Sequence, residues 1–140
     1  MTIIVDASVA VKWFVEETLH DEAHHLVKYQ REIQAPDFIL IEVANVAWKK
    51  AVRKEISNDQ VRAIVHMIPQ FIPVLLPSST LLERATELAI ELTHPIYDCL
   101  YIACAELTDA VLVTADARLC EAVAAGPYAA HVRHLSEVTA

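Results

Sequence analysis

Four acidic residues stand out because each interrupts a stretch of apolar sequence. Asp6 ends a run of β-favouring residues, and Asp116 follows a second apolar strand. Glu42 lies near the start of one apolar helix, and Asp98 lies near the start of another. In an α/β fold, strands end and the following helices begin at the same end of the sheet. We therefore expect the four side chains to lie together.

Carboxylates that gather in this way repel one another. At a separation of ~4 Å and an effective dielectric constant near 20, one like-charged pair costs about 4 kcal/mol. Such a cluster has to take up protons or bind a cation. With no cysteine or histidine expected nearby, its oxygen atoms suit Mg²⁺ or Mn²⁺ better than zinc. The chemistry this predicts is metal-assisted hydrolysis of a phosphodiester by activated water, without a covalent intermediate.

Each acid also has a purely structural explanation. Asp6 and Asp116 could cap the helices that follow them, and Asp98 could interact with a helix dipole. Glu42 could simply face solvent. The shared location at one end of the sheet is what favours a common chemical role.

Periodicity predicts strands that alternate with helices along the whole chain. Strands are expected at residues 2–5, 33–35, 72–76, 110–114 and 131–134. Helices are expected at residues 9–14, 19–31, 37–54, 57–69, 78–93, 96–107 and 116–125. Asp37, Ser57 and Ser78 are the predicted N-caps of the third, fourth and fifth helices. The alternation predicts one domain over residues 1–140, a three-layer α/β/α fold with helices on both faces of a parallel sheet.

The composition excludes some functions and suggests others. With 11 basic and 19 acidic residues, the net charge of −8 argues against broad electrostatic binding to nucleic acid. A single glycine, Gly126, excludes the glycine-rich loops that hold nucleotides. The apolar fraction of 55% suggests a surface that a partner or a second copy covers.

The cysteines and the apolar segments indicate a soluble protein of the reducing cytoplasm. Cys99, Cys104 and Cys120 have no metal-binding spacing, so we expect free thiols, the first two of them in an apolar helix. The longest uncharged run, residues 63–82, contains three prolines and is not expected to span a membrane.

The ordered set of motifs resembles the PIN-domain nucleases, and more narrowly the VapC toxins of toxin–antitoxin operons. The motifs are Val5-Asp6-Ala7-Ser8, Glu42-x-x-Asn45, Tyr97-Asp98-x-x-Tyr101 and Thr114-x-Asp116. The resemblance implies that Asp6, Glu42, Asp98 and Asp116 hold one or two Mg²⁺ or Mn²⁺ ions and catalyse RNA cleavage. It implies that Ser8 and Thr114 offer hydroxyl groups and that Asn45 supports the site. It also implies a sheet order of 3-2-1-4-5.

The resemblance also implies partners, and the chain departs from the family's pattern at one position. It implies a homodimer with a hydrophobic groove for a cognate VapB-type antitoxin. Some relatives carry a further acid just after the fourth, whereas Ala117, Arg118 and Leu119 follow Asp116 here. The number of metal ions is therefore open.

The basic residues allow two interpretations. The densest basic group is Lys49, Lys50, Arg53 and Lys54, with Lys49 on the same helix face as Glu42, and Lys12 lies on the first helix. They could contact RNA phosphates beside the acids, or they could form a solvated helix end. A zinc site at His20 and His24 and a phosphoryl-accepting Asp6 are both disfavoured, because the residues that such sites require are missing.

Two alternatives to a ribonuclease remain open. The chain could be a PIN-like binding module whose acids only hold the helices in place and catalyse nothing, or a metal-dependent DNA nuclease. Recognition of the 2′-hydroxyl of RNA leaves no short motif that would decide between the nucleic acids.

Overall fold

The computed structural model describes residues 2–29 and 32–138, which form a five-stranded parallel sheet surrounded by helices. The strands are β1 (Thr2–Val5), β2 (Glu32–Pro36), β3 (Val74–Leu76), β4 (Val111–Thr114) and β5 (Val132–His134). The helices are α1 (Ala7–Ala10), α2 (His20–Tyr29), α3 (Ile39–Val52), α4 (Asn58–Phe71), α5 (Ser78–Leu92), α6 (Ile96–Thr108) and α7 (Ala117–Val123).

The sheet order is β3-β2-β1-β4-β5, which confirms the predicted fold class. Strand β1 lies at the centre and pairs with β2 on one side and β4 on the other. Its register aligns Val5 with Val113, so Asp6, the first residue after β1, lies beside Thr114, the last residue of β4. The chain reverses its winding direction between β1 and β4, and ligands of open α/β sheets bind at such a point.

Helix α6 is the most deeply buried helix and packs against β1, β2 and β4. Its seven consecutive residues from Cys99 to Ala105 are all buried, which explains why its sequence is almost entirely apolar. Cys99 and Cys104 are free thiols within this segment. The burial of α6 fixes the position of Asp98 in its first turn.

Several helix ends differ from the sequence prediction by a few residues, and those of α1 and α4 have a clear cause. Helix α1 begins at Ala7, because Asp6 is its N-cap, and it continues as a 3₁₀ turn at Val11–Trp13. Helix α4 begins after the predicted N-cap Ser57, which forms a capping box with Gln60, but the helix runs past Pro69 to Phe71. Pro69 lies in the last turn, so the hydrogen bond that it removes and the clash with the preceding turn affect only the end of the helix.

The predictions that Asp37 caps α3 and that Ser78 caps α5 are both wrong, because the N-caps are Phe38 and Pro77 and neither makes a side-chain capping bond. The Oδ1 atom of Asp37 accepts a hydrogen bond of 3.0 Å from the backbone nitrogen of Ser78 at the start of α5. In return, the Ser78 hydroxyl accepts a bond of 3.1 Å from the backbone nitrogen of Phe38. The starts of α3 and α5 therefore cap each other across 41 residues of sequence.

Residues 30 and 31, the last two of the second predicted helix, lie outside the described residues. None of the helices in the described segments combines the length and the apolar character needed to cross a bilayer.

Candidate active site

The four acids line one cleft at the carboxyl ends of β1 and β4. The cleft has a volume of about 340 Å³. Its walls carry the carboxylates of Asp6, Glu42, Asp98 and Asp116. Each comes from a different element: the end of β1, the first turn of α3, the first turn of α6 and the end of β4. The fold thus brings together four acids that are spread over 111 residues of sequence.

Asp6 lies at the centre of this arrangement and is only 5% exposed. Its Oδ1 atom accepts hydrogen bonds from the backbone nitrogen of Val9 at 3.3 Å and from the Ser8 hydroxyl at 2.5 Å. Its Oδ2 atom accepts a bond from the Thr114 hydroxyl. Asp6 is therefore both the N-cap of α1 and a wall of the cleft, so the two sequence interpretations are compatible.

The hydroxyl groups of Ser8 and Thr114 connect the two strand ends. The Ser8 oxygen accepts a hydrogen bond of 2.9 Å from the backbone nitrogen of Ala115. The Thr114 oxygen accepts one of 3.0 Å from the backbone nitrogen of Asp116. Since both hydroxyl protons are directed at Asp6, these two residues orient that carboxylate in this conformation rather than offering a donor to a ligand.

A hydrogen bond from Tyr101 holds the carboxylate of Glu42. The Tyr101 side chain is completely buried in α6, and its hydroxyl donates a hydrogen bond to Oε1 of Glu42. Its burial makes this tyrosine part of the hydrophobic core. The contact adds a second role, because the hydroxyl fixes the orientation of a carboxylate in the cleft.

Asp98 is paired with His94, a residue that the sequence interpretation missed. The His94 side chain is 14% exposed and that of Asp98 is 25% exposed. The Nε2 atom of His94 donates a hydrogen bond of 2.7 Å to Oδ2 of Asp98. The expectation that no histidine lies near the acids is therefore wrong. The i, i+4 spacing at the start of a helix is the signal that could have revealed the contact.

Burial and mutual repulsion make two of the acids hard to ionise. The pKa of Asp6 rises to about 6, first because of burial and then because of the charge of Asp98, against the lowering effect of its hydroxyl partners. The pKa of Glu42 rises to about 7, again through burial first and then through the charges of Asp6 and Asp98. A bound cation would relieve this repulsion and favour the ionised forms.

The donor set fits a hard divalent cation, although the carboxylates do not yet converge on one point. Across residues 2–29 and 32–138, no three acidic, histidine or cysteine side chains are gathered closely enough to hold an ion as they stand. In the same residues, one oxygen each of Glu42, Asp98 and Asp116 makes no hydrogen bond. Those oxygens can turn toward an ion while the hydrogen bonds on the other oxygens persist.

The basic residues of the cleft are not those that the sequence indicated most strongly. Lys12 lines the cleft as predicted, but its companion from α3 is Lys50. Lys49 is exposed and Arg53 is 66% exposed, and neither contributes to the lining. The α3 residues that line the cleft are Glu42, Val46 and Lys50, which are four residues apart and therefore lie on one face of the helix.

Asn45 lies beside the cleft rather than in it. It is exposed and lines an adjoining groove of about 450 Å³ together with Glu42, Tyr97 and Phe38. The rings of Phe38 and Tyr97 stack there with a centroid distance of 5.5 Å.

Comparison with known proteins gives a match to one domain family and to named relatives. Residues 3–124 match the PIN domain. Ribonuclease VapC3 of Pyrobaculum aerophilum is 31% identical over 123 residues, which cover 86% of this chain and 94% of the relative.

Solved structures agree on the fold. PAE2754 from Pyrobaculum aerophilum has a TM-score of 0.72 at 21% identity, covering 97% of this chain and 93% of its own. The sarcin-ricin loop cleaving toxin VapC20 of Mycobacterium tuberculosis has a TM-score of 0.66 at 17% identity, covering 86% and 95%. VapBC2 from Rickettsia felis, bound to promoter DNA, has a TM-score of 0.65 at 13% identity, covering 96% and 98%. The chain therefore belongs to the PIN-domain family, and its relatives within that family are the VapC proteins.

Proposed function

We propose that the protein is an Mg²⁺- or Mn²⁺-dependent endoribonuclease that acts as the toxin of a toxin–antitoxin pair. The observation that carries the proposal is the cleft at the ends of β1 and β4, which four carboxylates line. RNA is the proposed substrate because the relative with 31% identity is a ribonuclease.

The carboxylates of Asp6, Glu42, Asp98 and Asp116 would hold the metal. When bound, a divalent ion supplies Lewis acidity, which polarises the phosphodiester, favours hydroxide formation from water and offsets charge on the leaving oxygen. The chain itself orients the ligands: Ser8 and Thr114 hold Asp6, Tyr101 holds Glu42, and His94 holds Asp98. Donors of this kind keep metal ligands in one orientation and raise affinity.

Cleavage of labelled oligonucleotides tests this function and its DNA alternative together. Single-stranded RNA and DNA of the same sequence would be incubated with the protein in Mg²⁺, in Mn²⁺ and in EDTA. We expect cleavage of RNA in either metal and none in EDTA. Equal or faster cleavage of DNA would support the DNA nuclease instead, and the absence of any cleavage would support the binding module.

We also propose a VapB-type antitoxin and a second copy of this chain as partners. Ile41, Trp48 and Val52 are 66%, 57% and 61% exposed on one side of α3. Large apolar residues exposed along one helix face indicate an interaction surface. The name of the fold neighbour VapBC2 combines VapB and VapC, which supports a VapB-type partner for this chain. If the chain is a monomer at high micromolar concentration and does not bind the product of an adjacent operon gene, this part is wrong.

A further inference from the structure

Two lysines in the cleft share one carboxylate. Nζ of Lys12 lies 3.1 Å from Oε1 of Glu17, and Nζ of Lys50 lies 2.6 Å from Oε2 of the same residue. Lys12 belongs to the 3₁₀ turn after α1, Lys50 to α3, and Glu17 to the segment that leads into α2. All three side chains line the cleft that also contains the four acids.

We propose that Lys12 and Lys50 form a binding subsite for a phosphodiester group of the substrate backbone, and that Glu17 is the positioning residue that gathers them. The proposal rests on the proposed function, since a nucleic-acid strand is the ligand that would bring a phosphate into this cleft. It goes beyond that function because it assigns a second site in the same cleft, one that binds an anion rather than a metal ion.

Burial distinguishes these lysines from an ordinary solvated helix face. Their side chains are 12% and 13% exposed, whereas Arg53 on the same helix as Lys50 is 66% exposed. Ordering two long charged side chains carries an entropic cost, which the two ion pairs with Glu17 offset in part. The pairs leave two lysines and one glutamate on the wall of the cleft, a local excess of positive charge that an anionic group of a ligand can contact.

The hydrogen-bonding capacity of the lysines supports the same conclusion. An ammonium group has three N–H donors, and one on each lysine is directed at Glu17. Within residues 2–29 and 32–138, the other two donors on each lysine make no hydrogen bond and can reach other acceptors. A phosphodiester offers two anionic oxygens, so it can accept from both lysines at once.

Glu17 fits the role of a fixed counter-ion. Burial by itself would raise the pKa of Glu17, but hydrogen bonds from Lys50 and Lys12 outweigh burial and hold the pKa below its usual range. The carboxylate is therefore ionised at neutral pH, and each of its oxygens holds one lysine. Because the three residues come from three segments, this contact sets the separation of the two cations.

The salt dependence of RNA binding tests the subsite. Fluorescence anisotropy of a labelled single-stranded RNA would give Kd at several low salt concentrations, in EDTA so that no strand is cut. Each lost phosphate contact lowers the slope of log Kd against log salt by about 0.7 for a single strand. We expect that decrease for Lys50→Ala and for Lys12→Ala. Lys49→Ala is the matched control, because Lys49 is the neighbouring exposed lysine, and it should keep the parental slope. Equal slopes for Lys50→Ala and Lys49→Ala would overturn the subsite.

The variant Glu17→Gln tests the positioning role. Removing a negative charge near RNA should by simple electrostatics tighten binding. If Glu17 positions the lysines, binding should instead weaken several-fold, and KM should rise while kcat stays near the parental value. Unchanged or tighter binding in a variant with a normal circular dichroism spectrum would contradict the role.

Failure of the subsite and failure of the proposed function give different results. Binding in EDTA does not require catalysis, so a normal lysine effect without any cleavage in Mn²⁺ would contradict the nuclease alone. Cleavage in Mn²⁺ with unaltered slopes in both alanine variants would contradict the subsite alone.

Discussion

Replacing Asp6 with asparagine is expected to lower the rate of RNA cleavage by about a thousandfold or more. A metal-bound site supplies several kcal/mol of transition-state stabilisation, and each 1.36 kcal/mol corresponds to about a factor of ten. Asp6 is the most buried of the four acids and contacts both strand ends through Ser8 and Thr114. An asparagine oxygen can still accept the bonds from Val9 and Ser8, so the fold should persist while the charge is lost.

Single-turnover kinetics with saturating protein in Mn²⁺ measures this effect. Asp59→Asn is the matched control, because the Asp59 side chain is 93% exposed on α4 and its one ion pair among the described residues is with Arg62, one turn further along the helix. The control should cleave at the parental rate. An Asp6→Asn variant that cleaves as fast as the control would show that the metal mechanism is wrong.

Replacing Glu42 with glutamine is expected to stabilise the metal-free protein at alkaline pH while abolishing cleavage. The pKa of Glu42 in the folded protein is about 7, above the ordinary value of 4.5. The folded state therefore binds the proton more tightly than the unfolded state does. As the pH rises from about 4.5 through about 7, this contribution to stability is lost. Glutamine has no charge to bury and keeps an oxygen that can accept the Tyr101 hydrogen bond.

Urea unfolding in EDTA at two pH values measures the expected gain. Allowing for the partial exposure of Glu42, we expect Glu42→Gln to raise the free energy of unfolding by roughly 1–3 kcal/mol near pH 8 and by much less near pH 4.5. Glu87→Gln, at an exposed position on α5, should change neither value. A loss of stability in Glu42→Gln near pH 8, or an equal gain at both pH values, would contradict the electrostatic interpretation.

The order of elements and the positions of the four acids could be predicted because they depend on local signals. A strand such as Thr2–Val5 is recognisable from β-branched and apolar residues, and the acid after it marks the strand end. Strands that alternate with helices predict a parallel sheet, whose strands all end at one edge. Asp6 and Asp116 meet at that edge because β1 and β4 are neighbours, and only the family resemblance implied that strand order.

The contacts that could not be predicted depend on how helices rotate and on pairs that are distant in sequence. Counting seven residues from Glu42 indicated Lys49, but α3 presents the row that contains Lys50 to the cleft. The turn at Thr93, which has a φ of 51°, separates α5 from His94 and directs the chain into α6. The mutual capping of Asp37 and Ser78 joins residues whose proximity only the tertiary fold determines.

Calorimetric titration of the metal-free protein with Mn²⁺ tests the central claim most directly, since it asks whether the carboxylate cleft binds a divalent ion. We expect saturable heat for the parent protein, a rise in its melting temperature, and loss of both effects in Asp6→Asn but not in Asp59→Asn. No heat and no rise in melting temperature for the parent protein would contradict the account and favour a PIN-fold binding module without a metal site.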